Sequence, residues 1–396
     1  MKYADRMNKL GTETAFEVLQ RISEFPAERR EKIISFALGE PDFDTPEHIK
    51  QAGIKAIEEN YTHYTPSGGI LELRKAIADY ASEIKMLPLG PENITVFSAA
   101  KIVVCFAILT CTNPGDEIIY PNPGYPIYES LINVFGCKPV PAQLWEEEDW
   151  NYNTDELREL ITGKTSMIII NSPQNPTGSV LNKKNLEAIA EISLENDIWI
   201  LSDEIYSNLM YDNEQYKCIG CLPDLQDRTI ILDGFSKFFA MTGWRLGYSI
   251  TNPKIAEEFA KWNTNTISCP ASFTQQAGLT AMLEDKSPSW SMVKEFETRR
   301  NLICELINDI DGMSAKKPKG AFYVFANVTE ACEKLGLKDS LAFQNYLLEE
   351  ADVAVLSRDY FGKRSIEETQ EYVRFSYCVS QDDIKEGLER IKKVVK

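Results

Sequence analysis

Lys237 is the residue on which a reaction is most readily built, because of where it stands. It follows the apolar run Thr229-Ile230-Ile231-Leu232, which reads as a buried strand, so Ser236 and Lys237 fall where a sheet edge opens into a loop. Open α/β sheets place their chemistry at such strand ends. Phe235, Phe238, Phe239 and Met241 crowd the amine; partial desolvation disfavours an ammonium and frees the amine for a Schiff base. A lone lysine more often only packs its stem on apolar neighbours, so the surroundings must carry the argument. Ser236, one residue before, and Arg245, eight after, can both reach an anion held beside the amine. An arginine with a hydroxyl suits a phosphate.

A reactive amine next to a phosphate site is what pyridoxal phosphate (PLP) requires. The same cofactor needs a carboxylate at its ring nitrogen, and Asp203, at the end of the expected strand Trp199–Ser202, supplies one. An opposite charge there keeps the nitrogen protonated by about one to three pKa units, making the ring an electron sink. Tyr206, three residues on, reaches the phenolate oxygen from the same side, and the Asn175 amide, on the stiff loop after the strand Ser166–Ile170, can donate to that oxygen too. Pro121, Pro123 and Pro126 lock the loop around Tyr125, whose fixed ring suits stacking on a pyridine, worth ~1 kcal/mol beyond area burial.

Ser98-Ala99-Ala100-Lys101 joins the strand Ile94–Phe97 to a long apolar helix through Leu109, and small residues there leave N–H groups of a helix N-terminus open to phosphate. Ala100 and Lys101 are the expected donors. Alanine resists positive φ, so ordinary αR or β geometry is expected at Ala99 and Ala100. Arg374 stands among the apolar residues of Tyr372–Tyr377 and needs an anion, since an unpaired buried charge is costly.

Taken in order, Gly39-Glu40-Pro41-Asp42-Phe43-Asp44-Thr45-Pro46, Asn175-Pro176-Thr177-Gly178, Asp203-Glu204-Ile205-Tyr206 and the stretch Gly234–Gly247 resemble the class I/II aminotransferases of the aspartate aminotransferase superfamily, fold type I PLP enzymes. The resemblance runs from Gly39 to Arg374. It implies that Lys237 holds PLP, that Gly39 N–H and Arg374 bind the substrate α-carboxylate, that Asn175 and Tyr206 bind the cofactor O3′, and that Tyr125 stacks on its ring. It also implies a homodimer with shared active sites, in which Tyr64, in the loop Tyr64-Thr65-Pro66-Ser67-Gly68-Gly69, touches the phosphate of the neighbouring subunit. The implied reaction is ping-pong transfer of an amino group from an L-amino acid to a 2-oxo acid such as 2-oxoglutarate, with Lys237 as the proton carrier.

Four positions depart from the family or bear on specificity. The family usually has glycine where Ala99 or Ala100 stands. Lys101 leans toward an aspartate-like donor, as an equivalent lysine binds a distal carboxylate in one aspartate-specific branch; Tyr125 leans away, since that branch often has Trp there. The segment from Gly11 to Thr14 is a candidate to close over either kind of substrate. An alanine, aromatic or biosynthetic amino donor is the alternative, and a PLP-dependent lyase or decarboxylase on the same fold is another; the paired Gly39 and Arg374 carboxylate site argues for retention of CO2.

These residues need an α/β frame. The expected fold is a large domain with a mainly parallel sheet covered by helices, over residues 46–285. A smaller α+β domain is expected from residues 1–45 and 286–396. Strands are expected at Ile33–Leu38, Glu117–Tyr120, Phe322–Phe325 and Val353–Leu356, and helices at Pro46–Glu59, Ile70–Lys85, Lys183–Glu195 and Trp290–Asn308. A Thr N-cap is expected before the helix near Ala15. Beyond Gly247 the chain reads as helical to Glu284, and the polar segment from Phe361 to Gln370 reads as a mobile loop.

The chain has 396 residues, 43% of them hydrophobic, enough for a large core in two lobes. Its 60 acidic and 42 basic side chains give a net charge of −18, which disfavours nucleic acid and anionic membranes as partners. No apolar run spans a bilayer and Met1–Arg6 lacks the apolar core of a signal peptide, so a cytoplasmic protein is expected. Nine cysteines read as singly placed, reduced core residues, and two histidines leave little for a metal site. No GxGxxG follows the first strand, which counts against a dinucleotide-binding oxidoreductase. A non-catalytic relative would lack a competent lysine, and this chain has one.

Overall fold

A computed structural model describes residues 2–11 and 15–395. The expected Thr N-cap, and the segment beyond Gly11 proposed to close over substrate, lie outside the described residues. In chain order the strands are β1 (Ile34–Ser35), β2 (Ile94–Phe97), β3 (Glu117–Asn122), β4 (Lys138–Gln143), β5 (Thr165–Asn171) and β6 (Trp199–Asp203). They continue with β7 (Thr229–Gly234), β8 (Gly247–Ile250), β9 (Tyr323–Asn327), β10 (Val353–Ala354), β11 (Leu356–Ser357) and β12 (Tyr372–Ser376).

The centre is a seven-stranded sheet in the order β2-β8-β7-β6-β5-β3-β4. β3 to β7 pair in parallel, while β8 runs antiparallel to both its neighbours. The fold is therefore α/β with a mainly parallel sheet. Ile168, Ile169, Ile170, Ile200, Leu201, Ile230 and Ile231 are buried because helices cover both faces, which is why these strands read as unbroken apolar runs. The helix Lys183–Asn196 starts where the Asn182 side chain accepts the Asn185 N–H (2.9 Å) and stops at Asp197 in left-handed geometry. The helix Lys101–Cys111 is apolar nearly all round and sits in a core with Phe97, Ile118, Ile169, Leu201 and Phe259.

The reading of Gly247 onward as helical is corrected by β8: four buried residues inserted between β2 and β7 are too short to show a strand period. β4 was not expected at all. Its prolines, Pro139 and Pro141, are tolerated because it lies at the sheet edge.

A second, three-stranded antiparallel sheet has the order β11-β12-β9. The strand expected over Ile33–Leu38 shrinks to β1, which pairs in parallel with β10. The run Val353–Leu356 is split, β10 going to β1 and β11 to β12. Phe36 N–H donates to Ala354 O and Ser376 N–H to Phe36 O, both at 2.8 Å, so the N-terminal segment is stitched to the C-terminal sheet just before Gly39. The segment expected to be mobile is instead fastened: buried Arg358 holds Glu368 through both oxygens (2.6 and 2.7 Å), and Arg364 pairs with Asp359 and Glu371.

All nine cysteines are unbridged. Cys218-Ile219-Gly220-Cys221 has C-x-x-C spacing, which corrects their reading as singly placed; burial pushes both thiols above the usual range. Among the described residues no helix is long and apolar enough to cross a membrane, and no cluster of His, Cys, Asp and Glu could hold a metal.

Candidate active site

The carboxyl ends of β2, β5, β6 and β7 open into a cavity of about 400 Å³, closed on the other side by the segment around Gly39 and by β9, β11 and β12. Gly39, Ala100, Lys101, Tyr125, Asn175, Asp203, Tyr206, Ser236, Lys237, Arg245 and Arg374 all line it. Of the sequence-predicted residues, Tyr64 alone stands elsewhere, 88% exposed in this single chain.

Lys237 follows the end of β7 by three residues, and its Nζ donates to Gly39 O at 2.6 Å. The rings of Phe322 and Tyr206 lie 5.5 and 5.8 Å from the nitrogen. The amine thus sits in a largely aromatic wall, tied to a segment distant in sequence. Asp203 ends β6 and is buried; Tyr128 donates to its Oδ2 at 2.6 Å and the Ile205 N–H to Oδ1 at 3.3 Å. Burial pushes its carboxyl up to about 6, against the pull of those two bonds, and Asp233 and Glu204 push the same way. Behind it, fully buried Lys85 bridges Glu204 (2.7 Å) and Asp233 (3.0 Å), so one cation is shared between two carboxylates.

Asn175 is set by its own N–H on Asn171 Oδ1 (2.9 Å) and by its side-chain oxygen, which accepts from Arg374 Nη1 at 2.8 Å. The amide oxygen is thereby used, which turns the NH2 group toward donation. Arg374 is 4% exposed and lies against the rings of Tyr323 (4.4 Å) and Phe361 (5.1 Å). Its Nη2 donates to Ala37 O, while its Nε has no hydrogen-bond partner. A buried guanidinium that lines a cavity is suited to bind a carboxylate there. Gly39 adjoins it so tightly that a Cβ there would meet the Tyr323 hydroxyl at 2.0 Å. Tyr206 shares a hydrogen bond with that hydroxyl at 2.8 Å, and burial lifts its phenol well above the ordinary value.

At the other end, the helix beginning at Lys101 brings its first N–H groups, Ser236 and Arg245 to one corner. Gly247 lets β8 start there: a Cβ would fall 2.2 Å from Ala100 N. Ala100 is in αR, as expected, but Ala99 has φ +118°, a correction to the ordinary geometry expected of it. The tight strand-to-helix reversal imposes this angle regardless of the Cβ. Ala99→Gly is therefore expected to stabilise the cofactor-free protein by about 1 kcal/mol in denaturant unfolding; equal or lower stability would show that the angle carries no strain. Tyr125 meets Tyr128 edge to face at 5.7 Å, and Lys101 Nζ lies 5.7 Å from the Tyr125 ring.

Three aromatic lining residues escaped the sequence reading. Tyr128 carried a signal, standing three residues after Tyr125 at the start of a helix. Tyr323 and Phe361 carried none, because only tertiary packing sets them against Arg374.

The donor set fits PLP. A cationic ring edge is matched by the buried Asp203 carboxylate, an anionic end by the helix N-terminus with Ser236 and Arg245, and a substrate carboxylate by the Arg374 guanidinium.

The chain is similar to known proteins along most of its length. The family model of aminotransferase class I and II matches residues 31–391. An aspartate aminotransferase of Pyrococcus abyssi is 38% identical over 369 residues, 92% of each chain. An aromatic-amino-acid aminotransferase of Thermococcus litoralis is also 38% identical, again over 92% of each. The crystal structure of Thermus thermophilus aspartate aminotransferase with maleate superposes with a TM-score of 0.91, at 30% identity and full coverage of both chains. With Lys237, Asp203 and Arg374 around one cavity on this sheet, the chain belongs to the class I and II aminotransferase family.

Proposed function

We propose that this aminotransferase works with PLP, taking the amino group of an aspartate-like L-amino acid and passing it to a 2-oxo acid such as 2-oxoglutarate in two half-reactions. The observation that carries the reading is that Lys237, the buried Asp203 and Arg374 all line one cavity. PLP, when bound, supplies an electron sink that makes the substrate Cα–H acidic. Asp203 keeps the ring nitrogen protonated, and Lys237 Nζ takes the Cα proton and returns it. Ala100 and Lys101 N–H groups, Ser236 and Arg245 hold the phosphate; Tyr125 stacks on the ring; Asn175 Nδ2 and Tyr206 hold its phenolic oxygen. Arg374 and Gly39 N–H fix the substrate α-carboxylate, which keeps it from leaving as CO2 and supports transamination over decarboxylation.

The exposed position of Tyr64, outside its own cavity, supports a homodimer in which the partner's Tyr64 completes the phosphate corner. The stitching of residues 34–36 to residues 353–376 supports the division into a small domain of residues 1–45 and 286–396 and a large domain of 46–285. Lys101 at the cavity, and relatives named for aspartate, favour a dicarboxylic donor and a role in amino-acid metabolism. The aromatic relative keeps an apolar donor as the second reading, which Leu38, Leu356 and Phe361 in the lining favour.

The test is optical. Protein incubated with PLP and desalted should turn yellow, L-aspartate should discharge the visible band, and 2-oxoglutarate should restore it. Protein that remains colourless overturns the reading; a band that responds to phenylalanine and not to aspartate selects the second donor class.

A further inference from the structure

Tyr128 is completely buried at the start of the helix Ile127–Val134, and its hydroxyl donates to Asp203 Oδ2 at 2.6 Å. A core tyrosine needs some acceptor, and a backbone carbonyl would suffice, as it does for Tyr152, whose hydroxyl donates to Ile169 O at 3.4 Å. Tyr128 instead spends its hydroxyl on the carboxylate at the end of β6, at the short distance of a charge-assisted bond. The other groups facing Asp203 hold it less firmly or not at all. Asp233, on β7, and Glu204, next in sequence, are carboxylates; Lys85 is committed to those two. Tyr206 is bonded to Tyr323, and the Ile205 N–H reaches Oδ1 only at 3.3 Å. The Tyr128 ring also meets Tyr125 edge to face, so one side chain braces both the carboxylate and the proposed stacking ring.

We propose that Tyr128 is the positioning residue for Asp203: its hydroxyl fixes Oδ2 so that Oδ1 is presented to the ring nitrogen of the cofactor. The inference rests on the PLP reading above. Without the hydroxyl the carboxylate loses its side-chain donor and the ionised form is less favoured, so the cofactor nitrogen meets a less charged and less fixed partner.

The experiment measures PLP affinity of the cofactor-free protein by quenching of intrinsic fluorescence, from about pH 5 to about pH 8. Tyr128→Phe keeps the ring and its packing. It is expected to bind PLP about tenfold more weakly at neutral pH and to shift the midpoint of the affinity–pH curve upward by about one unit. In an Asp203→Asn background the same change should alter affinity less than about twofold, because the two residues act as one unit. Tyr152→Phe removes a comparable buried hydroxyl and should leave the midpoint in place. Wild-type affinity in Tyr128→Phe, an equal loss in both backgrounds, or an equal shift in Tyr152→Phe overturns the proposal. A wild-type protein that takes up no PLP overturns the cofactor reading itself, a different outcome from a wild type that binds and a variant that binds equally well.

Discussion

Lys237→Ala is expected to lose transamination by roughly 10⁴-fold or more, at the upper end of what one positioned proton carrier contributes. Two amines line the cavity, and Lys101 Nζ lies over the Tyr125 ring, away from the Gly39 carbonyl that holds Lys237. Lys237→Arg should be equally inactive: a guanidinium keeps the positive charge but neither condenses with an aldehyde nor gives up a proton near neutral pH. Both variants should still take up PLP, since Asp203, Asn175, Ser236 and Arg245 remain in place. Keto-acid formation followed by chromatography, with PLP uptake measured on the same samples, separates lost chemistry from lost cofactor. Normal turnover in either variant removes Lys237 as the base.

The residues for that prediction were legible because each stands at a point where the sequence changes character. Lys237, Asp203 and Asn175 each follow a run of Ile and Leu buried on both faces, and those runs became β7, β6 and β5. Arg374 stood out as the charge in an apolar strand. What stayed hidden depends on contacts between distant segments. Tyr323 and Phe361 both pack their rings against Arg374 from different parts of the C-terminal half, and nothing local distinguishes them from core aromatics. Arg358 fastens the 361–370 segment through Glu368, so polar composition alone misread that segment as mobile. β8 and the pair β10 and β11 were missed or merged because two to four residues are too few for a period. Ala99 was misjudged for a different reason: side-chain preference yields where a reversal between strand and helix is fixed at both ends.

Asp203→Asn should move activity and stability in opposite directions. The variant is expected to lose about 10³-fold in transamination, because an amide does not hold the ring nitrogen in its cationic form. In the cofactor-free protein, however, ionised Asp203 is a burden. Burial raises its carboxyl from 3.8 to about 6, so the folded state binds a proton that the unfolded chain has already released between those values. Stability therefore falls as pH rises through that window, and above it the cost persists, on the order of 3 kcal/mol for two pKa units. Asparagine removes the charge and keeps an acceptor for the Tyr128 hydroxyl. Cofactor-free Asp203→Asn should thus melt higher than wild type at pH 8 and no higher at pH 4, with part of the acid slope remaining because burial also lifts Asp233. Saturating PLP should reverse the order at pH 8, since a ligand that binds only the folded state stabilises in proportion to the logarithm of its excess over Kd. A variant that melts below wild type without cofactor at pH 8 would mean that Asp203 is held ionised by its surroundings at no cost, and its proposed readiness for a cationic ring would fall with that result.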